Sequence, residues 1–288
     1  MITRLVAAHE LAVCEDGTLI DSDTTETPFS AEAYSRMKFG DADATQQLAQ
    51  ELTAVLVDQV PELVDGQEGP LFAVAFKAVP PACFYLSRNC LAGINEVRVN
   101  NELEPGRVVH VYKDRVTATN YASSSHADRQ AELANIGFSF EGRDISSSPV
   151  VVLDDVRITG SAERCMADLI ERGDAPQLVV GYVALLDPEA AILRPSIENE
   201  MNTVVVKDIH DVAEIISTGR FELNIRTLKL ILGSEPSDLY AVLDELDPHT
   251  TELIYEGAIA TGPEFIAQYK AGMNILSRYI QTQRSAAR

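Results

Sequence analysis

The stretch Val150-Val151-Val152-Leu153-Asp154-Asp155-Val156-Arg157-Ile158-Thr159-Gly160-Ser161-Ala162-Glu163 decides the fold. Its β-branched opening has the length of a buried strand. Two carboxylates stand at the carboxyl end of that strand, a Gly-containing turn follows, and a helix then begins. Ligands of open α/β sheets bind outside the carboxyl ends of the strands. The first N–H groups of a helix lack partners within it, so a helix start with Gly and hydroxyl side chains is a ready anion site. One short segment thus offers two acidic acceptors beside a phosphate cradle.

Carboxylates suit vicinal hydroxyls and the turn suits a phosphomonoester. A ribose 5-phosphate has both. The fourteen residues resemble the PRPP loop of type I phosphoribosyltransferases, in which two acidic residues precede a Thr-Gly turn. The resemblance implies an α/β fold with a three-layer, largely parallel sheet. It implies that Asp154 and Asp155 hold the ribose hydroxyls and, indirectly, Mg2+. The turn of Arg157, Ile158, Thr159, Gly160, Ser161 and Ala162 would then enclose the 5-phosphate. The plain structural alternative is a strand–turn–helix with a solvated Asp-Asp end.

Elsewhere the sequence is read in order. Residues 2–20 form a hairpin turning at Glu15-Asp16-Gly17. Tyr34, Arg36 and Lys38 belong to a dense polar stretch, 34–41, read as a helix end and turn or as a lid over the ribose site, and the three are candidates for the acceptor pocket with Asp187 and Glu198. A helix covers 41–59, with Leu48, Leu52, Val55 and Leu56 on one face. A buried strand at 71–76 leads into Lys77-Ala78-Val79-Pro80-Pro81 and a helix to about 91. By the resemblance, Lys77 and Ala78 contact the pyrophosphate; otherwise Lys77 is a surface lysine at a strand end. Strands are expected at 97–100 and 108–112. Then comes a polar segment at 113–125, which in the resembling family closes over PRPP. Lys113, Arg115 and Arg129 are its candidate cations.

Beyond the organising stretch, an apolar stripe of Ala162, Cys165, Met166, Leu169 and Ile170 ends at Gly173. Residues 177–186 read as a central strand with Asp187 at its carboxyl end. Residues 195–202, with Glu198, read as a loop, and 204–206 as a last strand. From 208 onward the pattern is helical, with helices at 208–217, 224–232, 237–246 and 263–283. The expected organisation is an α/β domain over 1–207 and a helical appendage over 208–288. The appendage, the hairpin or both would serve as the hood over the acceptor. Pieces at 34–41, 121–122, Arg129 and 224–227 are similar to a bacterial phosphoribosyltransferase subgroup linked to tellurite-resistance and stress operons.

Composition limits the partners. With 23 basic and 44 acidic residues the formal net charge is −21. That excludes a nucleic-acid partner and an anionic membrane surface as expectations. The four cysteines lack metal-ligand spacing, and no signal-peptide core or membrane-spanning run is present. A cytoplasmic protein is expected, and the resemblance adds a homodimer. The implied reaction is transfer of ribose 5-phosphate from PRPP to a small nitrogen heterocycle, with Mg2+ and release of pyrophosphate. The other reading is a PRPP-sensing regulator without turnover. A dinucleotide enzyme is disfavoured because no G-x-G-x-x-G follows a strand.

One departure from the resembling family bears on the acceptor. Members that use 6-oxopurines carry an Asp just before the Thr-Gly, and Ile158 stands there instead. Ala162 also replaces a hydroxyl residue. The implied acceptor is already anionic or takes its base from Asp187 or Glu198, with Arg36, Lys38 or Arg194 as the compensating cation. Hypoxanthine and guanine are then expected not to be substrates.

Overall fold

In the computed structural model, residues 2–14, 19–22, 28–114, 137–140, 144–158, 160–194 and 196–286 are described. Seven strands form one sheet in the order β2-β1-β7-β6-β3-β4-β5. They are β1 (Ile2–Val13), β2 (Leu19–Asp21), β3 (Leu71–Phe76), β4 (Arg107–Lys113), β5 (Phe138–Ser139), β6 (Val150–Arg157) and β7 (Gln177–Leu186). All pairings are parallel except β1–β2 and β4–β5 at the two edges.

Alternation along β6 and β7 divides the core. Val151, Leu153, Val179 and Val183 share a core with α1 (Ala31–Lys38), α2 (Ala42–Gln59), the short α3 (Glu62–Asp65) and α4 (Ala82–Asn100). Val150, Val152, Leu178 and Val180 face α5 (Ser161–Arg172). Both faces are covered, so these strands are apolar throughout, as parallel strands require. β3 crosses through α4 to β4, whereas β6 crosses through α5 to β7 on the other side. The switch point therefore lies between β3 and β6, and its carboxyl-end crevice is where a ligand binds in such sheets.

The hairpin is present, but its first arm is longer than expected: nine β1 residues pair with β7, so the hairpin extends the sheet edge. His9 fixes that edge. Its Nδ1 lies 2.8 Å from Asp21 Oδ2 and its Nε2 lies 3.2 Å from Glu51 Oε2. Burial opposes the imidazolium, but the two carboxylates outweigh it and raise the pKa above 6.5. The stabilisation is thus complete below about 6.5 and lost as pH rises through the raised folded value. Thermal melts of His9→Gln should therefore trail wild type most at low pH, and the gap should close towards pH 9. A gap independent of pH would exclude the charged pairing.

Three expectations fail locally. Residues 97–100 are the last turn of α4, not a strand. The i, i+4 series Leu86, Cys90, Ile94 and Arg98 is buried, and packing overrides the β-branched valines. Arg98, wholly buried, donates to the carbonyls of Glu104, Leu63 and Gln67, which holds that turn. The expected loop at 195–202 contains the short helix α7 (Ile197–Asn202), which follows α6 (Pro188–Leu193). Ile197 and Met201 bury one face of α7. Residues 204–206 are not a strand; Val206 is buried among the C-terminal helices instead.

Those helices are α8 (Ile209–Ser217), α9 (Ile225–Gly233), α10 (Pro236–Glu245), α11 (Pro248–Thr261), α12 (Pro263–Gln268) and α13 (Lys270–Ala286). α11, which the sequence reading passed over, is capped by Asp247, whose side chain accepts from His249 and Thr250 N–H. The helices enclose their own core, which also takes in Phe39 and Val79 from the α/β part. Among the described residues no helix is long and apolar enough to cross a membrane.

Candidate functional site

The site is built at the switch point. Asp154 and Asp155 lie in the last half of β6, and Asp154 sits opposite Tyr182 of β7. β3 ends at Phe76, so Lys77 and Ala78 open the neighbouring loop at the same sheet end. Ile158 packs on the apolar core. Gly160 takes φ 64° and is the N-cap of α5, with no side-chain cap. A Cβ there would come within 3.1 Å of both Arg157 Nη2 and Glu163 Oε2. The left-handed turn and close side chains both favour Gly at this position. Glu163 holds the turn together: its Oε2 accepts from Arg157 Nε at 2.7 Å and from Tyr182 Oη at 3.0 Å.

Lys38 changes the electrostatics of the acid pair. Its Nζ forms a short ion pair with Asp155 Oδ2, with both side chains largely buried, at 9% and 14% exposure. Burial alone would raise both acids. At Asp155 the Lys38 ammonium outweighs it and holds the carboxyl below its usual value. Asp154 goes the other way: burial and the Asp155 charge push it up to about 7. The pair shares one cation, so the two titrations separate.

Burial also raises Tyr34, with Asp155 and Glu198 adding to it. Cys83, near the start of α4, is raised by burial and then by both aspartates. The charge of both aspartates thus reaches the Cys83 thiol.

An unfolded carboxyl near 3.8 ionises before Asp154 does, so the folded state loses stability between about pH 4 and about 7. Asp154→Asn removes that loss. Its advantage over wild type in urea melts should be absent near pH 4 and full by pH 8. An advantage of the same size at both ends would refute the raised ionisation.

Other nominated residues have different surroundings. Arg36 donates from Nε to Asp41 Oδ2 at 2.6 Å, and Asp41 Oδ1 caps α2 by accepting from Asp43 and Ala44 N–H. Arg36 is therefore spent on the α1–α2 corner. Arg194 pairs closely with Glu200. Asp187 is exposed and caps α6, accepting from Glu189 N–H at 2.7 Å. Glu198 lies on α7, where its charge is felt at Tyr34 and Asp154. Lys113 ends β4 opposite Phe138 of β5. Thr159, Arg115 and Arg129 lie outside the described residues, as do the side chains of Ser161 and Ala162.

The C-terminal helices close one side of the site. Asn224 Nδ2 donates to the Lys38 carbonyl at 3.2 Å, and its Oδ1 caps α9 by accepting from Thr227 N–H. Glu222 N–H donates to the Gly40 carbonyl at 2.8 Å, and Ile225 N–H donates to the Pro80 carbonyl at 2.9 Å. Tyr85 Oη donates to the Leu223 carbonyl at 2.6 Å. Gly40 has φ +92°, and a Cβ there would lie 2.4 Å from the Glu222 carbonyl oxygen. A Cβ on Gly262 would meet Lys77 Nζ at 3.6 Å. The helices thus contact both the α1 corner and the β3 loop.

A largely parallel sheet with an acid pair and a glycine turn at its switch point defines a type I phosphoribosyltransferase fold. The chain belongs to the PRTase ComF-like family, whose model matches residues 18–276, from just before β2 into α13. Solved structures similar to it include a hypoxanthine phosphoribosyltransferase from Staphylococcus aureus, at 11% identity and TM-score 0.30, covering 51% of this chain and 74% of that one. Another is the adenine phosphoribosyltransferase of Saccharomyces cerevisiae, at 13% identity and TM-score 0.32, covering 51% and 73%. A third is a hypoxanthine-guanine phosphoribosyltransferase from Bacillus anthracis, at 13% identity and TM-score 0.30, covering 58% and 75%. No curated protein matches the chain.

Proposed function

We propose that the chain transfers ribose 5-phosphate from PRPP to a small nitrogen heterocycle and releases pyrophosphate. The observation that carries this reading is the Asp154–Asp155 pair beside the left-handed Gly160 turn at the sheet's switch point. The two carboxylates accept hydrogen bonds from the ribose hydroxyls. The N–H groups that open α5 receive the 5-phosphate, with the helix dipole favouring its charge. Lys77, at the end of β3, faces the pyrophosphate from the neighbouring loop.

Among the described residues no cluster of three or more His, Cys, Asp or Glu is placed to hold a metal ion. A pair of carboxylates nonetheless suits Mg2+, which is bound through one or two carboxylates plus substrate oxygens and water. Bound there, Mg2+ would neutralise charge on the departing pyrophosphate. Ile158, partly buried against the apolar core, gives the acceptor no base.

A PRPP-binding regulator without turnover is the second reading. It is favoured by one observation: the chain's own Lys38 already engages Asp155. Incubating the purified protein with PRPP, Mg2+ and a cell extract separates the two. A new ribose 5-phosphate adduct in the mass spectrum, with pyrophosphate released in step, is the result expected of the enzyme. PRPP binding by calorimetry with no adduct and no pyrophosphate supports the regulator. Absence of PRPP binding would reject both.

A further inference from the structure

In a chain with 44 acidic and 23 basic residues, a half-buried cation without an acidic partner stands out. Arg226, in the first turn of α9, is such a residue. Among the described residues its guanidinium has neither a hydrogen-bond acceptor nor a carboxylate in ion-pair range. It lies over the ring of Phe39, with Cζ 5.9 Å from the centroid, an arrangement that leaves its donors available. Arg36, Arg88, Arg157 and Arg194 all have carboxylate partners. Arg226 is nevertheless close enough to the site for its charge to act on Asp155 and on the Tyr34 hydroxyl.

Two buried polar side chains nearby also lack partners. Tyr34 and Asn202 are 0% exposed. Tyr34 Oη and both amide atoms of Asn202 have no hydrogen-bond partner among the described residues. Asn202 follows Glu198 by one turn of α7, and its carbonyl accepts from Ser35 Oγ at 2.8 Å. The end of α7 is thereby held against α1 at Ser35, the residue after Tyr34. Buried polar groups are normally satisfied, and an unmet one carries its full desolvation cost. A ligand that meets all three groups removes that cost.

We infer that Arg226, Tyr34 and Asn202 form the acceptor subsite, and that it takes a planar heterocycle bearing a carboxylate. The carboxylate meets the Arg226 guanidinium, which is suited to two parallel hydrogen bonds. Asn202, with a donor and an acceptor on one amide, pairs with a ring amide edge. The Tyr34 hydroxyl completes the set. The inference rests on the phosphoribosyltransferase reading and assigns acceptor choice to the C-terminal helices.

Calorimetry on the full chain tests it with four probes. They are PRPP with Mg2+, orotate (carboxylate and ring amide), nicotinate (carboxylate alone) and hypoxanthine (ring amide alone). Orotate should bind best, nicotinate less well and hypoxanthine worst. Arg226→Gln should weaken both carboxylate probes about tenfold or more, the scale of a charge-assisted hydrogen bond, while PRPP affinity stays near wild type. Arg226→Lys should keep part of the orotate affinity. Asn202→Leu should lose orotate binding yet hold or raise the melting temperature, whereas an Asn202 needed only for structure would lower it.

The inference is overturned if PRPP binds but neither carboxylate probe does, or if Arg226→Gln weakens PRPP as much as orotate. Orotate binding without PRPP binding would instead leave the subsite standing and remove the phosphoribosyltransferase reading.

Discussion

Lys38→Met is expected to lower stability by about 3–5 kcal/mol, the usual cost of leaving one partner of a buried ion pair uncompensated. For a chain of this size that corresponds to a fall of about 6–20 °C in melting temperature. The cause is local. Lys38 is the cation that keeps Asp155 ionised beside Asp154, and without it two buried acids face each other. Asp155, no longer paired, must then take a proton or draw in water.

The double variant Lys38→Met/Asp155→Asn should recover most of the loss, because it removes both charges together. A double variant no more stable than Lys38→Met alone would show that the charge pairing with Asp155 is not what the lysine contributes.

The second large effect is on PRPP. Asp154→Asn should weaken PRPP binding about 10–150-fold, the equivalent of losing charged hydrogen bonds of roughly 1.5–3 kcal/mol. The measurement belongs at pH 8, above the ionisation of Asp154 at about 7. Towards pH 6 wild type should approach the variant, since its own carboxyl then carries a proton. The substitution exchanges one neutral buried group for another at low pH, so the fold should survive it. An unchanged PRPP affinity at pH 8 would remove Asp154 from the ribose site.

Much of the frame was legible in the chain. The run from Val150 to Leu153 announced a strand buried on both faces, and β6 is the middle strand of the sheet. Gly160 announced the turn, and its φ of 64° shows why. Failures came where tertiary packing overruled local signals. Val97 and Val99 carry β propensity, yet they ride on a helix anchored through Ile94 and Arg98. α11 was hidden because its stretch lacks a strong apolar stripe.

The site was less legible than the fold. The sequence put both Lys38 and Arg36 in the acceptor pocket, but residues two apart on a helix point in different directions. Lys38 turns to Asp155, and Arg36 turns to Asp41. Asn224 and Arg226 reach the α1 corner from far along the chain. No local pattern encodes such a contact.

The hydrogen bond from Asn224 to the Lys38 carbonyl joins residues 186 positions apart. At about 5–20 residues per second of synthesis, roughly 10–40 s separate the emergence of the two. In the last part of that interval, once Asp154 and Asp155 have been made, the nascent chain holds both aspartates and their lysine, but not the clasp that seats α1. A half-made protein would therefore compete poorly for PRPP. Ribosome-arrested chains ending before residue 224 should pass over immobilised PRPP unretained, whereas chains released at full length should stay bound.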